Sequence, residues 1–213
     1  MTEKIALRSP ELLHIQGEGQ LYRGADQEWY RELWQRQAGC GPTNAAQLLW
    51  YLAQTRPHCR ALANWDCGSQ EGFLALMEEV WHYVTPGKMG VNSTSILSGG
   101  VLRYGEERGV PLICRVLEIA AKPFFRRPAA AEVMEFIGAA LADDLPLAFL
   151  NLAKGALTNL DSWHWVTLVA LDKTDMTATM YNQGQEAVIN MGLWLRTSVL
   201  GGGFVALEPA VIR

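Results

Sequence analysis

Cys40 is the residue best placed for chemistry. It precedes Gly41-Pro42-Thr43 and then the run Asn44-Ala45-Ala46-Gln47-Leu48-Leu49-Trp50-Tyr51-Leu52. Ala45, Leu48, Leu49 and Leu52 follow the i, i+3, i+4, i+7 spacing of a one-sided helix, so the thiol stands at a helix entrance. Pro42 at the first helical position gives up no bond, because the N–H there has no intrahelical partner. The free N–H groups and the positive end of the macrodipole favour the thiolate, the nucleophilic form of cysteine. The competing reading is a structural thiol packed as a small hydrophobe.

A thiolate nucleophile needs a base within hydrogen-bond reach, held in turn by a third group. The chain has four histidines. His14 lies in an irregular N-terminal stretch, His58 follows Pro57 in a loop, and His82 falls in the polar phase of a helix; each reads as surface or ordinary packing. His164 opens the run Trp163-His164-Trp165-Val166-Thr167-Leu168-Val169-Ala170-Leu171, where two tryptophans at the mouth of a buried strand can shield the ring and let neighbours tune it. Asp172-Lys173-Thr174-Asp175 is a polar turn to a second β-like run. Pairing Leu171 with Asp175 or Met176 sets His164 opposite Asn182 or Gln183, so Asn182 is the expected third group. Asp172 is eight residues along the strand, about 26 Å from His164, and out of reach. Asp161 is the sequence-near alternative.

The elements that must position these residues follow from patterning. Met1 to Gly39 reads as irregular, with a short helix from Asp26 to Gln35. Helices are expected from Cys40 to about Gln54, over Gln70 to Val84, Ser93 to Arg108 and Pro128 to Asp143. Val110 to Leu117 is a candidate strand. After Pro146 come short buried strands at Leu147–Leu152, Trp163–Leu171, Thr177–Tyr181 and Phe204–Leu207, with Trp194–Leu200 open between strand and helix. Helices first and strands last is an α+β pattern. The whole chain, 1–213, is expected to form one domain, a helical lobe over about 20–145 and a sheet lobe over about 146–213, with a helix at Cys40 packed on an antiparallel sheet.

Composition narrows the function classes. The 213 residues carry 18 basic and 22 acidic side chains, a net charge of −4, with no basic stripe for nucleic acid. No apolar run approaches a membrane span, and the N-terminal stretch has no signal-peptide core, so a cytoplasmic location is expected. The four cysteines, at 40, 59, 67 and 114, have neither zinc-ligand nor disulfide-framework spacing, so no metal is expected.

Cys-Gly-Pro-Thr opening a helix, a later His-Trp-Val-Thr strand and a hairpin returning to an Asn-X-Gly segment resemble the papain-like cysteine peptidase superfamily, in particular its bacterial branch related to the double-glycine leader peptidases. The resemblance covers the Cys40 helix and roughly Leu147 to Gly184. It implies a papain-like fold and a cysteine-dependent hydrolase acting on a peptide or amide substrate, with a Cys40–His164–Asn182 site and no cofactor. The family's oxyanion glutamine stands six residues before the cysteine, where this chain has Trp34; Gln27 and Gln37 are the candidates for that role, as a second donor beside the Cys40 N–H. An acyl- or amide-transferring enzyme and a catalytically idle peptide-binding domain are the alternatives on the same fold.

Overall fold

The structure, a computed structural model, describes residues 4–63, 66–122 and 127–210. Strands β1 (Lys4–Ala6), β2 (His14–Gly17) and β3 (Gln20–Arg23) occupy the stretch that reads as irregular, and a 3-10 turn at Gln27–Trp29 leads to helix α1 (Leu33–Ala38). Helices α2 (Cys40–Thr55), α3 (Gln70–Trp81) and α4 (Thr94–Glu107) follow. Strand β4 (Leu112–Ile119) and helix α5 (Ala130–Ala142) come next, then β5 (Leu147–Asn151), β6 (His164–Asp172), β7 (Thr177–Asn182), β8 (Gln185–Asn190), helix α6 (Met191–Thr197) and β9 (Gly202–Pro209). The chain is α+β with a seven-stranded antiparallel sheet, ordered β4-β9-β5-β6-β7-β8 and with β1 paired to β6.

Helices α3 and α4 start on serine caps. The Ser69 hydroxyl accepts the Gly72 N–H at 3.1 Å and Ser93 accepts that of Ile96 at 3.3 Å, each satisfying a donor that the first turn leaves unpaired. α2 is the central element: every residue from Cys40 to Ala53 is buried, and it packs on α3, α4 and strands β5, β6 and β9. A helix enclosed on all sides needs partners for the polar groups it carries, and the Asn44 and Gln47 amides find them. Pro42 is its third residue, not its first; the substitution of position is harmless, because N–H groups throughout the first turn lack intrahelical acceptors.

The sheet draws on more of the chain than its last third. β1 adds to β6 through Lys4↔Asp172 to Ala6↔Ala170, and β4 pairs with β9 along eight residues. Trp194–Leu200 resolves as helix α6 over its first part, with the Asn190 side chain accepting the Leu193 N–H at 2.7 Å.

The hairpin register differs from the expected one. Leu171 pairs with Ala178, and an irregularity between Leu168 and Ala170 shifts the ladder so that Thr167 pairs with Tyr181. The extra residue of such a bulge cannot be seen in a hydrophobic pattern. The β7–β8 connection is a two-residue turn in which Gln183 and Gly184 have φ of 49° and 71°, as a type I′ hairpin requires. Gly184 is also held by close approach: a Cβ there would lie 2.5 Å from the Tyr22 ring, and its carbonyl accepts the Arg23 N–H at 2.7 Å.

Candidate active site

The entrance of α2, the start of β6 and the end of β7 meet at one narrow cleft. Cys40, His164 and Asn182 all line it, together with Gln27, Thr43 and Tyr181. The Cys40 end of the helix sits tightly: a Cβ on Gly41 would come within 2.6 Å of Val91, and the Val91 carbonyl accepts the Trp165 indole N–H at 2.5 Å. Glycine at that position is thus a packing requirement that links the helix entrance to the residue after His164.

His164 Nε2 lies 2.7 Å from Asn182 Oδ1. An amide oxygen only accepts, so Nε2 carries the hydrogen and donates it. The remaining ring nitrogen, Nδ1, is then the one free to exchange a proton. The contact is not the directly opposed pair expected: with Thr167 facing Tyr181, Asn182 reaches His164 along the diagonal of the ladder, still within side-chain range. Burial disfavours charge on the His164 ring, but the Cys40 side chain, the Asn182 amide and, more remotely, Asp161 outweigh it, and the pKa lies above the ordinary value.

The shielding of His164 is one-sided. Trp165 is buried, whereas Trp163 is 45 % exposed and has φ of +59°, a left-handed conformation uncommon for a bulky residue. Asp161 is exposed, and its backbone carbonyl accepts the Asn151 amide at 2.5 Å. Asp172 is at the far end of β6, where its carboxylate accepts the N–H groups of Thr174 and Asp175 and builds the turn. Of the two glutamine candidates, Gln27 lines the cleft and donates to the Arg36 carbonyl at 2.5 Å. Gln37 is exposed on α1 and does not line it, since three helical residues are too few to fold its amide back to the thiol.

The other histidines lie outside this pair. His58 and His82 are exposed. His14 is half-buried and bonds the Tyr181 hydroxyl at 3.0 Å, with burial and then the Arg23 charge lowering its pKa. Burial also pushes up the thiols of Cys59, of Cys67 to about 12 and of Cys114 to about 11. Among the described residues, no group of three or more His, Cys, Asp or Glu side chains is placed to hold a metal ion. No helix among them is long and apolar enough to cross a membrane.

Sequence reasoning missed a polar stripe on α2. Thr43, Asn44 and Gln47 stand at i+3, i+4 and i+7 from Cys40, on the same helical face, and all are buried. Their spacing in an otherwise apolar helix was the available signal. The Asn44 amide donates to the Cys40 carbonyl at 2.9 Å and to the Trp165 carbonyl at 3.0 Å, bridging the residue that carries the thiol and the neighbour of His164.

Compared with models of protein families, the chain matches none, and it matches no curated protein.

Proposed function

We propose that this chain is a papain-like cysteine peptidase or amidase, with Cys40 as nucleophile, His164 as acid and base, and Asn182 as the group that orients the imidazole. The observation that carries the reading is the 2.7 Å bond from His164 Nε2 to Asn182 Oδ1 beside the thiol of a helix-entrance cysteine. That bond fixes the tautomer in which Nδ1 takes the thiol proton.

The steps follow from these roles. Cys40 Sγ adds to the carbonyl carbon as its proton passes to His164 Nδ1. The negative oxygen is stabilised by the Cys40 backbone N–H and by the Gln27 amide. One Gln27 N–H is committed to Arg36, which holds the amide in place, and the second is available to the substrate. Collapse breaks the C–N bond, the imidazolium protonates the leaving amine, and a thioester remains on Cys40. Water, deprotonated by His164, then releases the acid and restores the thiol.

The test is incubation with a diverse peptide-amide library, with products identified by mass spectrometry and Cys40→Ala as control. Products that appear with the wild type and vanish in the variant support the reading. Added amine distinguishes hydrolysis from transfer, since a transferase yields the amine adduct. No Cys40-dependent product of either kind would refute enzymatic function and leave a binding domain.

A further inference from the structure

Gln47 is 2 % exposed and lies two helical turns from Cys40, yet both ends of its amide are engaged by different parts of the fold. Its Nε2 donates to Thr167 Oγ1 at 3.1 Å, and the Thr167 hydroxyl donates to Asn44 Oδ1 at 2.6 Å. Asn44 in turn holds the carbonyls of Cys40 and Trp165. On its other side, Gln47 Oε1 accepts the N–H of Ala25 at 3.2 Å, two residues before Gln27. The loop runs close to this oxygen: Gly24 has φ of +83°, and a Cβ there would lie 2.5 Å from Gln47 Oε1. Asn44, Gln47 and Thr167 are all nearly inaccessible, so water cannot substitute for a broken link without cost.

We infer that Gln47 is a positioning residue for the oxyanion amide: it ties the loop that carries Gln27 into the buried network that sets the Cys40 turn against the His164 strand. This rests on the functional reading above. The network has two separable branches. The Asn44 branch joins thiol and imidazole, and the Gln47–Ala25 branch joins the oxyanion donor to both. Alkylation of Cys40 by iodoacetamide displaces iodide at a saturated carbon and develops no oxyanion, so it uses the first branch alone. Acylation by an amide substrate uses both.

The experiment compares both rates in Gln47→Met, close in volume, and in Gly24→Ala, whose Cβ would meet Gln47 Oε1 at 2.5 Å and Tyr181 Cβ at 2.9 Å and so displaces the loop; the alkylation rate reports any disturbance that Tyr181 passes to the neighbouring Asn182. Each variant should lose turnover on an amide substrate by about tenfold or more, approaching the ~10²–10³ of a deleted oxyanion donor. The loss should fall in kcat, with KM little changed, while the iodoacetamide rate at Cys40 stays at the wild-type value. Asn44→Leu should slow both reactions. Should Gln47→Met fail to fold, Gly24→Ala decides alone. Wild-type turnover in a folded variant, or parallel loss of alkylation and turnover in both, would overturn the inference while leaving the peptidase reading intact. A wild type without Cys40-dependent turnover would overturn that reading, and this one with it.

Discussion

Asn182→Ala removes one hydrogen bond and little else, which makes its effect calculable. His164 is 8 % exposed, and its Nε2–H donates to Asn182 Oδ1 at 2.7 Å. A hydrogen bond to a charged group contributes about 1.5–3 kcal/mol, so deleting this one should lower the catalytically competent imidazolium by roughly 10- to 150-fold. Asn182 is only half-buried, and water entering beside the ring recovers part of the loss, which places the expected drop in kcat toward the lower end. Cys40→Ala, which removes the proposed nucleophile, should lose far more. The direction with pH also follows. The Asn182 amide is one of the causes that raise the His164 pKa, so in Asn182→Ala the ring should titrate lower, toward the ordinary value of about 6.5. A group whose folded pKa is raised stabilises the fold fully below the unfolded value and loses that contribution as pH rises through the folded value. The variant should therefore lose more stability at pH values below about 6.5 than in alkaline solution. The assays are turnover, an NMR titration of the His164 ring and urea denaturation at two pH values. An unchanged His164 midpoint with unchanged kcat would refute the reasoning.

Gly41→Ala forces a Cβ to within 2.6 Å of Val91, and overpacking of this kind should cost about 1–3 kcal/mol and slow Cys40 alkylation together, measured by thermal melting and by labelling rate. Gln27→Ala should reduce kcat by ~10²-fold or more as an oxyanion donor does, whereas Gln37→Ala, exposed on α1, should leave turnover unchanged in the same assay. Asp172→Ala removes the acceptor for the Thr174 and Asp175 N–H groups, so its melting temperature should fall slightly while turnover stays at the wild-type level.

The parts of the fold that the sequence made readable were those written in local chemistry. The apolar spacing after Cys40 and the polar turn at Asp172 each announce their element over a few residues. The pairing of His164 with Asn182 was also reachable, although by a register that the structure corrects. A one-residue bulge in β6 takes back part of the two- or three-residue shift in the Leu171 pairing, enough to keep Asn182 within diagonal reach. What local patterns could not supply was non-local. β1 and β4 are recruited to the sheet by edges exposed only once β6 and β9 are formed. β8 alternates weakly, with Gln185, Glu186 and Val188 exposed, and is absent from the strands expected of the sequence. The Asn44–Thr167–Gln47 network joins positions more than 100 residues apart, and only one half of it, the polar stripe on α2, is visible in sequence.

The proposed mechanism requires Cys40 to be a nucleophile made reactive by His164. Mass-resolved labelling with limiting iodoacetamide near neutral pH, on the wild type and on His164→Ala, measures this directly. Burial raises the Cys59, Cys67 and Cys114 thiols, so those three should stay protonated and label slowly. Cys40 should label first and fastest in the wild type, and lose that advantage in His164→Ala. Equal labelling of the four cysteines, or a Cys40 rate indifferent to the loss of His164, would contradict it.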